Sequence, residues 1–248
     1  MPKKEYYRHN LPHFQQPGQA YFMTWCLNNT VPKKALERYT QKLKILKSRL
    51  RAAGAADSGA ADSDPLFKCA DRTPHHFKKN ANRNPHHLHD PYQKLRAEYY
   101  ATRRKYIKAF NDLLDTDKNP KINLAKPANL KVITETLQYW EGKKLTNHAF
   151  CVMPNHVHWV LELYEKDEKQ QFIYLEEIMY SVKRFSATQI NKIENQRGKL
   201  WQKESFDTTI RDEKHLYNAI EYTLNNPVAA GLVKNREDWP GSFWCNGL

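Results

Sequence analysis

The stretch TNHAFCVM-PN-HVHWVLELY, residues 146–164, limits the fold more than any other part of the chain. It reads as a strand, a tight Pro-Asn turn and a returning strand. In a strand, alternate residues share a face. Val157, Trp159, Leu161 and Leu163 therefore form one continuous apolar face for a core, while His156, His158 and Val160 point the other way.

A strand that could be wholly apolar instead carries two imidazoles on one face. Positions two apart lie roughly 6.5 Å from each other along a strand, and imidazole nitrogens bind a metal at about 2.1 Å, so the two rings can converge on one ion. The bland reading is a pair of histidines on a half-exposed face. His-hydrophobic-His at the start of a strand, after a turn that opens one end of a sheet, points to metal binding. Two imidazoles leave such a site incomplete, so another ligand and a reactive group are expected. His75, His76, His86, His87 and His89 lie in a loop-like stretch and read as exposed basic residues.

The rest of the chain supplies further elements. QAYFMTWCL (19–27) reads as an aromatic-rich strand. From Pro32 the pattern becomes that of a basic amphipathic helix, with Leu36, Tyr39, Leu43, Leu46 and Leu50 at helical spacing. AAGAADSGAADSDP (52–65) reads as a flexible linker, and 92–115 as a second helix. The expectation is a single domain over 1–248 with a helical, partly flexible insertion at about 33–120. Helices are also expected at about 128–141 and 174–194. LWQKESFDTTIRD is expected as a loop leading into a last helix, EKHLYNAIEYTLNN, stopped by Pro227.

That last helix carries a candidate reactive group. At about 100° per residue, with Ile220 as the reference, Leu216, Ala219, Thr223 and Leu224 form a buried stripe. Tyr217 falls at its edge, as core. Tyr222 and Asn226 fall on the opposite face. An aromatic opposite the core, with an amide one turn further on, suggests a site; the helix alone leaves it open whether Tyr222 is simply an exposed tyrosine beside a capping asparagine. A tyrosine hydroxyl can attack a phosphodiester. A divalent cation on two histidines and an amide can polarise the phosphate under attack.

The charge balance bears on the substrate. Forty Lys and Arg against 27 Asp and Glu give a net charge of +13. That suits a polyanionic partner such as nucleic acid. Lys183, Arg184 and Lys192 on the 174–194 helix can track phosphates or form a solvated face, and Arg211 can contact the scissile strand or pair with Asp207. Tyr6, Tyr7 and Arg8 mix aromatic and basic character, which suits stacking on unpaired bases, or belong to a disordered tail. The four cysteines lack any CxxC pair, as in a reducing cytosol. No apolar run approaches the roughly 18 residues of a membrane span, and no signal-peptide core is present, so a cytoplasmic, nucleoid-associated location without a membrane partner is expected.

PNHVHWVLE, LWQKESFDTTIRD and EYTLNNPVAAGLV, in that order and with NLPHF…GQAYFMTWCL before them, resemble the REP-associated tyrosine transposases. These belong to the single-tyrosine insertion-sequence transposases of the HUH endonuclease superfamily. The resemblance covers about 1–32 and 121–244. It implies an α+β fold, a central antiparallel sheet with helices packed on it (HUH endonuclease, ferredoxin-like). It implies cleavage and rejoining of single-stranded DNA beside palindromic hairpins through a 5′-phosphotyrosine intermediate. Carried over by position, Tyr222 becomes the nucleophile, His156 and His158 metal ligands, and Asn226 the residue completing the metal shell. The metal implied is Mg2+ or Mn2+, and two imidazoles suit Mn2+ at least as well. The oligomeric state stays open between monomer and homodimer. A domesticated DNA or RNA hairpin-binding protein that no longer cuts is the rival reading, and a histidine-metal hydrolase using activated water a further one that leaves Tyr222 unexplained.

Overall fold

The structure is a computed structural model, and it describes residues 6–8, 12–14, 16–57, 91–116, 120–203 and 205–245. The chain forms two compact units. One joins Met1–Thr30 to Leu114–Leu248; the other is Val31–Leu113.

In the first unit, a short ribbon pairs β1 (Tyr6–Arg8) with β2 (Pro12–Phe14) antiparallel. The main sheet has five strands: β3 (Ala20–Cys26), β4 (Leu145–Val152), β5 (His156–Leu163), β6 (Phe206–Thr209) and β7 (Ser242–Trp244). Their order is β6-β3-β5-β4-β7, with every neighbouring pair antiparallel. The fold is α+β. β5 follows the alternation of its sequence, β4 shifts register between Asn147 and Ala149, and the turn is closed by Met153 N donating to His156 O at 2.9 Å.

The apolar face of β5 carries the larger core. Val157, Trp159, Leu161 and Leu163 pack there with Trp25, Phe150, Trp201, and residues of α3 (Pro127–Gln138) and α4 (Leu175–Ile193). Two of this core's three buried tryptophans have a partner for the indole N–H, while Trp25 Nε1 is buried without one. Trp159 Nε1 donates to Asn147 Oδ1 at 2.6 Å, and Trp201 Nε1 donates to Ser186 Oγ at 3.0 Å. Such pairing avoids the cost of an unmet hydrogen bond in the interior, about 1–3 kcal/mol. The opposite face is covered by α5 (Glu213–Ala229), through a smaller cluster of Ala149, Val160, Ile210, Ala219, Ile220 and Leu224.

The second unit holds α1 (Lys33–Asp57) and α2 (Pro91–Leu114), except that Leu114 falls in the first unit. The heptad-like spacing of α1 has its expected outcome: Leu43, Leu46 and Leu50 are buried against Tyr99.

Several sequence expectations are corrected. Residues 52–57, expected in the linker, continue α1, because Ala-rich sequence favours helix; the rest of that stretch lies outside the described residues. So do Cys69 and the histidines at 75, 76, 86, 87 and 89. FDTT is a strand rather than loop; β6 pairs with β3, Thr24 opposite Phe206. The N-terminal tyrosines form β1 rather than a tail. Pro227 does not stop the last helix: although a proline lacks its N–H and crowds the carbonyl four residues back, α5 continues through it for two more residues. The stop comes at Gly231, with φ +66°: its N–H bonds Val228 O, and Leu232 N bonds Pro227 O, both at 2.9 Å. This is the Schellman arrangement, which needs a left-handed residue.

Candidate active site

The site begins with the register between β3 and β5. Thr24 lies opposite His158, Phe22 opposite Val160 and Cys26 opposite His156. Their side chains share the face that α5 covers. His156 and His158 are both only 1% exposed, so they are buried rather than half-exposed. The rings meet at nearly right angles, with His156 Nε2 3.1 Å from His158 Nε2.

Each outer nitrogen is held from behind. His156 Nδ1 lies 2.6 Å from Asn155 Oδ1, and Asn155 Nδ2 donates to Leu114 O at 2.7 Å. The second bond orients the Asn155 amide, so its oxygen faces the ring and His156 Nδ1 must be the donor. His156 Nε2 then carries a lone pair and points at His158. On the other ring, Nδ1 lies 2.8 Å from Thr24 Oγ1. When Thr24 donates, His158 Nε2–H completes a bond to His156. When Thr24 accepts, two lone pairs face one another, an arrangement that calls for a cation. This backing of imidazoles by second-layer oxygens is how metal-binding histidines are set in orientation.

Burial also keeps the rings neutral. It pushes His156 down to about 3 against a weaker upward pull from the Asn226 side chain. Burial, and then the neighbouring His156, hold His158 well below its ordinary value. A neutral ring keeps the lone pair that a metal needs.

α5 brings Tyr222 and Asn226 to the same place. The Tyr222 ring stands edge-on to His158, with centroids 5.3 Å apart, and edge-on to Phe22 at 5.7 Å. Phe22 stacks on His158 at 5.6 Å. Tyr222 is 40% exposed, so it forms the solvent side of the group. Asn226, expected on the exposed face, is 5% exposed, and its buried Oδ1 has no hydrogen-bond partner. Tyr217, expected as core, is exposed. Both departures have one cause. The buried arc is centred near Thr223, about 60° from Ile220 at 100° per residue. A threonine can sit there because its hydroxyl donates to Ala219 O at 2.8 Å. Taking Ile220 as the centre placed Asn226 outside the arc and Tyr217 inside it.

Two neutral imidazole nitrogens and an orphaned amide oxygen fit the donor set of a divalent cation such as Mn2+ or Mg2+. Among the described residues, no group of three or more His, Cys, Asp or Glu side chains is placed to hold a metal.

The other candidates lie elsewhere. Lys183 Nζ donates to Gln202 O at 3.1 Å, Lys203 O at 3.5 Å and Ser205 Oγ at 2.7 Å, so it fastens the segment before β6. Arg184 is exposed, its guanidinium 6.0 Å from the Tyr180 ring. Lys192 is exposed on the last turn of α4. Arg211 precedes the α5 cap, where Asp212 accepts from His215 N at 2.7 Å. Tyr6 and Arg8 belong to β1, and their side chains are outside the described residues. Thr24, Asn155 and Phe22 were missed by sequence reasoning. Asn155 had a signal, its place directly before His156; Thr24 had a weaker one, as a polar residue inside an otherwise apolar strand.

No protein-family model matches the chain. A protein of Haemophilus influenzae named "Putative REP-associated tyrosine transposase" is 32% identical over 102 residues, covering 38% of this chain and 56% of its own length. The chain thus spans little more than half of that relative. A solved structure described as "Structure of the REP associates tyrosine transposase bound to a REP hairpin" aligns with 95% of this chain and 80% of its own at 15% identity. Its TM-score is 0.39, too low to carry weight. Over the matched residues the chain is similar in sequence to the REP-associated tyrosine transposases.

Proposed function

We propose that this protein is a metal-dependent, site-specific single-stranded DNA endonuclease and transposase that cuts and rejoins DNA beside hairpins. The observation that carries the reading is the grouping of Tyr222 with the buried His156–His158 pair and the orphaned Asn226 Oδ1. The Tyr222 hydroxyl attacks phosphorus. A Tyr Oη–P bond forms, the P–O3′ bond breaks, and the 3′-oxygen leaves as a hydroxyl with the proton the tyrosine gives up. A 5′-phosphotyrosine remains, and return of the 3′-hydroxyl reverses the step. His156, His158 and Asn226 would hold the Mn2+ or Mg2+, which supplies charge stabilisation to the phosphate oxygens. Asn155 and Thr24 keep the imidazoles in place, and the apolar layer around Phe22 excludes water from the rings. The +13 charge holds the DNA backbone. A single strand suits the site because one phosphate must approach Tyr222 to roughly 3 Å, which a second backbone in the pocket would obstruct.

The test is a labelled DNA hairpin with unpaired flanks, incubated with Mn2+. The wild type should yield a covalent adduct between the protein and the 5′ end of the downstream DNA fragment, and Tyr222→Phe none, with unchanged circular dichroism. His156→Ala and His158→Ala should each abolish cleavage while hairpin affinity falls little, since affinity comes from many backbone contacts. An adduct on Tyr222→Phe would reject the nucleophile. Full cleavage in chelator would reject the metal. Binding without cleavage by the wild type would favour the non-cleaving hairpin binder.

A further inference from the structure

One groove on the first unit does not include His156, His158 or Tyr222. It lies between α4 and residues 198–203 and 205, with a cavity volume of about 390 Å3, within the range of about 300–1,000 Å3 usual for ligand pockets. Tyr180, Arg184, Lys199, Trp201 and Lys203 line it. Tyr180 is 65% exposed, and Arg184 stands over its ring. A bare aromatic face beside a guanidinium is a poor choice for solubility and a good platform for a flat, electron-rich ring. With Lys183, four lining cations face the carboxylate of Glu176, so the described lining is net positive.

The groove's outer wall is fixed rather than loose. Lys183 ties it at Gln202, Lys203 and Ser205, and Trp201 is anchored on Ser186. The same wall continues to the histidine end of the sheet. Gln202 N donates to Cys26 O at 2.9 Å, Asn28 N to Leu200 O at 2.7 Å, and Cys26 lies opposite His156. A strand leaving the histidine end can therefore follow residues 200–203 into the groove.

We infer that this groove holds one unpaired nucleotide of the DNA strand, its base laid on Tyr180 and its phosphate drawn by Arg184, Lys199 and Lys203. The inference rests on the reading of the protein as a single-stranded DNA enzyme, and it adds where the flank is gripped. Stacking on Tyr180 tolerates any base, so the groove supplies grip rather than sequence choice.

The test compares fluorescence anisotropy of the full chain with two DNA hairpins, one with an unpaired flank and one blunt. Wild type should prefer the flanked hairpin. Tyr180→Ala should lose about tenfold in affinity for it and nothing for the blunt one, and Tyr180→Phe should retain the preference. Arg184→Ala should weaken flanked binding and lower its salt dependence. Equal affinity of wild type and Tyr180→Ala for the flanked hairpin, or equal loss on both hairpins, would overturn the groove. The adduct assay stands apart from this result. Adduct formation with an indifferent Tyr180→Ala removes the groove and leaves the transposase reading. A flank-specific loss with no wild-type adduct keeps the groove as a binding site and removes the reading.

Discussion

On the α3–α4 side of the sheet, β5 contributes Val157, Trp159, Leu161 and Leu163 to a core with Trp25, Phe150 and Trp201. On the α5 side the same strand contributes His156, His158 and Val160, and the apolar cluster there is small. Among the described residues, one helix covers the second face and two cover the first. The strand alternates between them residue by residue, so adjacent positions serve opposite ends. The first face removes large apolar surfaces from water and accounts for most of the stability. The second keeps polar groups buried next to an exposed tyrosine, at some cost in stability. Mutations should therefore separate along the sheet: those on the α3–α4 side lower stability and those at the histidine end change chemistry.

The largest stability effect should come from Trp159→Ala. Trp159 is fully buried, and its loss removes a large side chain and strands Asn147 Oδ1 without its donor. A cost of about 3–5 kcal/mol is expected. Urea denaturation gives the figure. A loss below 1 kcal/mol would mean that this face is not the main core.

How far the sequence showed this contrast depends on the element. The β4–β5 hairpin was legible because the alternation of β5 is unbroken and one of its faces is wholly apolar, although β4 carries a register shift between Asn147 and Ala149. The His pair was legible for the same reason, as an exception within that pattern. β6 was not, because FDTT is four half-buried residues at a sheet edge, held by pairing with β3 rather than by any pattern of its own. β7 has only three residues and depends likewise on β4. Asn226 was put on the wrong face by the helical wheel, because a polar Thr223 marks the centre of the buried arc. Thr24 meets His158 only through a contact across strands, which one sequence does not display.

The next effect distinguishes the faces by pH. With both imidazoles held neutral, the native protein takes up no proton there, while the unfolded chain does so from its ordinary value of 6.5 downward. The unfolded state thus binds more protons between that value and about 3. Stability is complete above pH 6.5 and falls as the pH drops, by about 1.4 kcal/mol per pH unit for each imidazole kept neutral. Urea midpoints of the chelated protein between pH 7.5 and 5 should follow this slope, and a His156→Gln, His158→Gln double variant should flatten it. A flat wild-type profile would mean that the rings are protonated in the folded protein. The α3–α4 face contributes no such slope, since Trp, Leu and Val do not titrate.

The smallest effect concerns how the single helix over the histidine face is ended. Gly231 holds φ +66°, a conformation that costs an L-residue with a β-carbon about 1–2 kcal/mol. It satisfies the last turn through Val228 O and Pro227 O. Gly231→Ala should thus lower stability by that amount, and Gly231→Asn by less, because asparagine tolerates the left-handed region. Since α5 is the only described helix packed on that face, the loss should be local as well as global. Native-state hydrogen exchange should speed up at the α5 amides near Thr223 and Leu224, while those of α3 and α4 change only with overall stability. Uniform acceleration across all three helices would show that the two faces unfold as one unit, and that the division between a stability face and a chemistry face does not extend to how the sheet opens.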